Sequence, residues 1–288
     1  MVASRRLILA AVVSALAVPL GCGRGDGAKL TLTYHPPAGA VYHYSLEQYF
    51  DISFEGSAMA QMPDQQMTMR VQFTQTVGGP VSGGIAVTVK LDSTTLDSPM
   101  KAANVYRPAL EGIRGLTSAM VYDDRMNVVH SELISAGAKP SPLAEQFGKN
   151  LKEAAFPLPS HSVGVGDSWT AEIEAPLQQV TSGAPLKATT KLTVKEIDTA
   201  GPDTTVRVAL ETTFPSEPIK VLQDGQVLTL KLSGSLTGDQ VFSVSRGAVL
   251  RSSRSGTVRI NMKGATMGAD GTTVTAKQST ALELHEAK

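Results

Sequence analysis

The sequence predicts a mostly β protein: two similar antiparallel β-meander halves forming a curved sheet or half-barrel, with one or two short central helices. Three observations predict it. Apolar side chains fall on every second position through most of the chain, as extended strands with one buried face require. Turn-forming residues punctuate those runs at short intervals. Segments of the first half recur, in the same order, in the second.

The N-terminus carries an address rather than a strand. Arg5 and Arg6 precede an uncharged, mostly apolar run from Leu7 to Leu20. The run is too short to cross a hydrocarbon core of about 30 Å comfortably, and suits the hydrophobic region of a secretory signal. Gly21 and Cys22 follow, then the polar stretch GRGDGAK. A small residue directly before a lone cysteine resembles a bacterial lipobox. That resemblance implies cleavage before Cys22 and a diacylglycerol on its sulfur. Pro19 and Leu20 depart from the usual order, in which leucine stands three residues before the cysteine. The alternative is cleavage after Ala15-Leu16-Ala17 and release as a soluble protein. The expectation is therefore a signal peptide at 1–21 and a lipidated Cys22 with a short tether at 22–29. The mature chain would then be an exported, membrane-anchored lipoprotein of the cell envelope, at the outer membrane or the periplasmic face.

Acylation of Cys22 would leave no thiol, so disulfides, thiol catalysis and cysteine metal sites drop out. Cleavage there leaves 24 basic against 26 acidic residues. A balance so near neutral provides no electrostatic footprint for nucleic acid. Membrane contact is expected through several N-terminal acyl chains, since one chain alone holds weakly.

The first β-rich half is assigned to 30–134. Tyr42, Tyr44, Leu46, Phe50, Ile52 and Phe54 hold even positions, with polar residues between them. The returning arm places Met67, Met69, Val71, Phe73 and Val77 on odd positions, after a turn around Gln61–Gln65. Ile85, Val87, Val89 and Leu91 follow the same rule. A short helical turn is expected between Val105 and Gly115. The connector at 135–162 holds the better helix signal: Ser141 as N-cap, Pro142 at the first helical position, then apolar residues at helical spacing to Ala154.

The second half, 163–288, repeats the design. Trp169 and Ile173 alternate with Thr170, Glu172 and Glu174, and Lys187, Lys191 and Lys195 alternate with Leu192 and Val194. Asp224-Gly225 and Asp270-Gly271 signal hairpin turns. The final strands read Val258, Ile260, Met262, then Val274, Ala276, Leu282, Leu284. PAGAVYHYSLE (37–47) aligns with GVGDSWTAEIE (164–174), placing Gly39 on Gly166 and Tyr42 on Trp169. Further on, Leu116-Thr117 aligns with Leu236-Thr237 and Val121-Tyr122 with Val241-Phe242.

With these halves in place, the chain resembles a family of bacterial envelope lipoproteins of unknown function, whose second half opens with V-x-V-G-D-x-W, here Val163 to Trp169. The resemblance covers most of the mature chain and implies no activity. By architecture alone the chain also looks like periplasmic lipoprotein carriers, in which a curved antiparallel sheet shelters an acyl chain.

Catalytic signals are weak. Gly166-Asp167-Ser168 opens the nucleophile motif of one esterase family, but none of the five histidines has an aspartate three positions earlier. The tripeptide also precedes a strand, which suits a turn. The histidines show neither helical nor strand metal-ligand spacing. Met59, Met62, Met67 and Met69 flank the first hairpin turn, and clustered thioethers can bind copper(I). Met67 and Met69 nevertheless share the apolar face of their strand, where packing accounts for them. No catalytic residue, metal site or cofactor is assigned, and the sequence specifies no protein partner.

A dozen strands with one apolar face need more cover than one or two short helices supply, so the sheet must close on itself or keep a groove. The expected function is non-catalytic: binding a lipid or other apolar ligand in a groove faced by Phe50, Phe54, Met67, Val71 and Leu91. The alternative is a structural or assembly partner protein of the envelope.

Overall fold

Alternation becomes pairing in the first hairpin. β1 (Val41–Glu55) and β2 (Gln65–Val81) run antiparallel with Tyr44 opposite Phe73, Leu46 opposite Val71 and Phe50 opposite Met67. The apolar sets of both strands therefore share one face, since a one-residue slip would turn either set to the other side. The chain continues through β3 (Gly84–Asp97), α1 (Arg107–Gly112), β4 (Thr117–Tyr122) and β5 (Val128–Ile134). The second half holds β6 (Ser168–Ala175), β7 (Leu186–Asp198), β8 (Thr205–Thr213), β9 (Ile219–Gln223), β10 (Gln226–Ser243), β11 (Ala248–Lys263) and β12 (Thr272–Ala287). The computed structural model describes residues 29–56, 63–99, 107–134, 157–175, 186–215, 217–223, 226–264 and 271–287. Cys22, Met59, Met62, the 141–154 helix signal and the Asp224-Gly225 pair lie outside them.

All twelve strands join one antiparallel sheet in the order β5-β4-β3-β2-β1-β12-β11-β10-β8-β7-β6, with β9 also on β10. The mostly β, curved-sheet expectation holds, and the sheet is continuous. The two meanders meet where β1, the first strand of one, pairs with β12, the last of the other.

The repeat is visible in the backbone. Gly39 and Gly166 both have positive φ, at 83° and 93°, a conformation glycine adopts without a Cβ penalty. Gly39 N–H donates to the Val77 carbonyl and Gly166 N–H to that of Val194, while Val77 and Val194 N–H donate back to Ala40 and Asp167. The β4–β5 and β10–β11 hairpins each carry a register shift at the aligned dipeptide, Val121/Tyr122 and Val241/Phe242. β12 and β9 have no counterpart in the first half, so the halves are similar without being equal.

A principal core cluster joins both meanders, from Val71, Leu91 and Met120 to Leu192, Val206 and Phe242. Residues at opposite ends of the strand order can share a core only if the sheet curls over its apolar face. Leu32 and Tyr34, just before β1, are buried in the same cluster at 2% exposure. Their segment is tied down by the Leu30–Val163 bridge and by Tyr34 N–H donating to the Asp124 carbonyl. A second cluster lies toward the far end of β9, β10 and β11, around Val221, Leu230, Leu232, Ile260 and Met262. The expected short turn before Gly115 is α1, which sets Leu110 and Ile113 into the principal core and accepts a 3.1 Å bond from Thr94 at the Leu110 carbonyl. His43 is half-buried, and its Nδ1 bonds Thr74 Oγ1 at 2.9 Å.

A half-buried seam as the candidate functional site

Register places the five residues expected to face an apolar ligand on one side of the sheet, at two depths. Val71 and Leu91 are 1% and 0% exposed and belong to the principal core. Phe50, Phe54 and Met67 are half-buried. Phe50 stands opposite Met67 on β2 and Gln278 on β12, and Phe54 stands opposite Val274. Together with Ile52 and its partner Ala276, they form a half-buried seam along β1 and β12. One core cluster lies beside one end of the seam and the second beside the other.

The near end of the seam turns polar. Gln48 on β1, Thr280 on β12 and Arg254 on β11 stand in one row across three strands, and Gly238 on β10 completes it. Arg254 is therefore on the same face as Val258, Ile260 and Met262. Its guanidinium is pulled below its ordinary pKa by burial, and an arginine in that position still carries its charge at neutral pH. Among the described strand residues that the register places on this face, Arg254 is the only Asp, Glu, Lys, Arg or His. Gly238 and Gly256 sit beside it, and a Cβ on either would collide with the carbonyl oxygen of Ser253 or Ser235. That close approach explains why glycine stands there.

Apart from Arg254, the charges of the described strands lie on the opposite face. Arg70 Nε donates to Glu47 at 2.7 Å, Lys187 pairs with Glu172 at 3.0 Å and Arg207 with Glu196 at 3.3 Å. The pair at Lys187 runs diagonally, because Glu174 is its direct partner in the register. Such exposed pairs contribute about 0–1 kcal/mol each. A shallow depression of about 220 Å³ is lined by Glu47 and Arg254 together with small residues of β10, β11 and β12, including Gly238, Ser253, Ser255, Ser279 and Thr280.

The turn carboxylates act locally. Asp167 accepts the Gly164 N–H at 3.0 Å and pairs with Lys29 at 3.2 Å, and these two contacts hold its carboxyl below the usual range. Burial pushes the Asp123 carboxyl up, but bonds from the Asn127 side chain and from the Asn127 and Arg125 N–H groups outweigh it, with a net lowering. Asp203 is likewise raised by burial and lowered further by Ser243, Ser245 and Arg246, which it ties into the β10–β11 turn. Each carboxylate closes a turn. Among the described residues, no group of three or more His, Cys, Asp or Glu side chains converges as a metal site would.

Parity places Phe50, Phe54 and Met67 on the face that the register gives them, and the sequence reading did not single out Arg254. The signal was present: the parity that marks Val258, Ile260 and Met262, carried back along the same strand, reaches residue 254.

The fold and this face together define a class: an open antiparallel sheet curled over a largely uncharged interior. No protein-family model matches the chain, and no curated protein matches it. Among solved structures it is similar to one reported as lipid–protein interactions in lipovitellin, with a TM-score of 0.54 at 10% identity. The match covers 88% of this chain and 26% of that one, so the chain spans about a quarter of its neighbour's length. At this identity the likeness is one of fold.

Proposed function

We propose that this chain is an exported bacterial lipoprotein, tethered to an envelope membrane through Cys22, whose sheet holds a lipid or another apolar ligand along the β1–β12 seam without a catalytic step. The observation that carries the reading is the seam itself. Phe50, Ile52, Phe54 and Met67 remain half-buried on the side of the sheet that elsewhere forms two packed clusters. Apolar surface at the edge of a core gains about 25 cal/mol for each Å² that a ligand removes from water. The neighbouring fold in lipovitellin comes from a structure concerned with lipid–protein interactions, which supports the reading without assigning a ligand. The tether rests on Arg5, Arg6, the Leu7–Leu20 run and Gly21-Cys22.

Mass spectrometry of the protein purified from its membrane tests both parts. Under denaturing conditions the N-terminal peptide is expected to start at an acylated Cys22, whereas an unmodified start at Val18 would remove the tether. Under native conditions a further, non-covalent lipid mass is expected. Identical native and denatured masses at high protein concentration would end the carriage reading.

One observation favours a second reading, a structural or assembly partner of the envelope. β5 is a terminal strand of the sheet, and Val129 and Ile134 are 53% and 49% exposed there. Exposed edge strands with apolar side chains are sites where another chain can add a strand.

A further inference from the structure

We infer that β5 is a self-pairing edge: two copies of this chain join by laying β5 antiparallel against β5, about a two-fold axis through Ser131. The inference rests on the second reading above, that of an assembly protein, whose partner it names, and it does not depend on a bound lipid. β5 ends the strand order, and no described strand lies beyond it. Val129, His130, Ser131 and Glu132 are all exposed along it, and so is Ile134 at 49%. The row of backbone donors and acceptors on such an edge is a template for another strand. The sequence of β5, VVHSELI, selects which strand fits.

Ser131 is the middle residue of the seven in β5, so a two-fold axis there overlaps the strand with its copy along its whole length. In that register Ser131 meets Ser131, His130 of one copy meets Glu132 of the other, and exposed Val129 comes beside Leu133. An imidazole carries an N–H donor in either protonation state, and a carboxylate accepts it. Complementary groups directly across two strands stabilise the pair, and like charges oppose it. Sliding the copies by two residues sets Glu132 against Glu132 or His130 against His130. A slip of one residue fails on parity. Ser131 stands opposite buried Met120, whereas His130 and Glu132 stand opposite Val121 and Ala119 on the other face, so that slip would set the inner face of one copy beside the outer face of the other. The register shift opposite Val121/Tyr122 falls at Val129, so the match rests on the three residues at the axis. β6, the other terminal strand, reads SWTAEIEA, with two glutamates and no basic residue, and its copy would bring no complement. Charged side chains on an edge deter indiscriminate pairing; on β5 they also select a second β5.

Sedimentation of the full chain tests the association, and cysteine substitution tests the register. A single strand pair is a small interface, so a reversible monomer–dimer equilibrium with a Kd of roughly micromolar or weaker is expected. Under mild oxidation Ser131→Cys should form a 131–131 disulfide, because directly opposite residues bring their Cα atoms to about 4.5–5.5 Å. The mass of the linked peptide tells this bridge from one through Cys22. Glu132→Cys should not bridge to itself, since its two copies stand two residues apart along the pair. His130→Glu and Glu132→His each set like groups across the axis and should weaken dimerisation about 10-fold, while the double exchange restores it. Ser131→Cys still reports where a charge variant fails to fold. A monomer at every concentration with no 131–131 bridge would overturn the self-pairing, and so would a dimer that lacks the bridge and ignores the exchanges. A benzophenone side chain at residue 131, activated in the envelope, separates this inference from the reading it rests on. Capture of a different protein in place of a second copy would overturn the self-pairing and leave the assembly reading standing, and capture of nothing would remove both.

Discussion

Four phenols sit in the principal core with little access to water, and one of them, Tyr42, donates its hydroxyl to the Arg246 carbonyl at 2.6 Å. The other three have no such backbone acceptor among the described residues. Tyr34, Tyr44 and Tyr122 are 2%, 5% and 8% exposed. Tyr34 lies 5.4 Å from Tyr122 between ring centroids, and Tyr44 stacks on Phe73 at 5.2 Å. Burial holds Tyr34 and Tyr44 well above their usual range and pushes Tyr122 up to about 12. In the unfolded chain all three ionise near 10. Above that pH the unfolded state releases protons that the folded state keeps, so stability is complete below about pH 10 and falls as pH rises. Each tyrosine steepens the fall by about 1.4 kcal/mol per pH unit, over the window to about pH 12 for Tyr122 and beyond it for the others. Urea midpoints should stay level to about pH 10 and then drop, with a shallower drop in Tyr122→Phe. A midpoint that stays flat through this window would mean that the phenols ionise without unfolding. At the same scale, parity made Tyr44, Phe50 and Phe73 legible as apolar-face residues. It did not separate buried Val71 from half-buried Phe50, because depth depends on what the far half of the sheet places above each residue.

Elements were more legible than their order. The β1–β2 and β9–β10 hairpins follow from alternation and turn residues nearby in sequence, and both strand pairs form. The register shifts at Gln72/Phe73 and Val194/Glu196 leave no such mark, since a bulge adds one residue without changing composition. Nor does alternation show that β1 pairs with β12, a contact between strands far apart in sequence. A cross-strand pair between β7 and β8 offers a direct test of how elements are matched. Thr190 and Thr212 stand opposite each other, both 0% exposed, with their hydroxyls 2.8 Å apart. Replacing Thr190 alone with Val leaves the Thr212 hydroxyl without this partner in the core, at a cost of about 1–3 kcal/mol. Replacing both removes the two polar groups together and should recover most of that loss. A thermal-melt cycle over the two single variants and the double variant reads the coupling. Additive destabilisation in the double variant would show that the hydroxyls do not depend on each other.

For the whole molecule, the repeat invites a picture of two units, and the packing opposes it. The principal core draws Tyr34, Phe73 and Met120 from one half and Leu192, Val208 and Phe242 from the other. The β1–β12 ladder then continues the sheet from one half into the other. Shared packing on this scale couples the halves, because neither can expose its share of the cluster without stripping cover from its partner. The expected outcome is one cooperative unfolding transition. The chain supplies separate reporters for this. Trp169, the single tryptophan, donates its indole N–H to the Pro157 carbonyl at 2.9 Å and packs against the principal core from β6. The tyrosine cluster around Tyr34, Tyr44 and Tyr122 reports from β1, β4 and the segment before β1. Tryptophan fluorescence, near-ultraviolet tyrosine dichroism and far-ultraviolet dichroism should therefore give coincident urea transitions. Loss of the Trp169 signal at a lower urea concentration than the tyrosine signal would show that the second meander opens alone. The curled sheet would then be two domains in contact, and a ligand lying along β1 and β12 would bridge them instead of resting on one continuous surface.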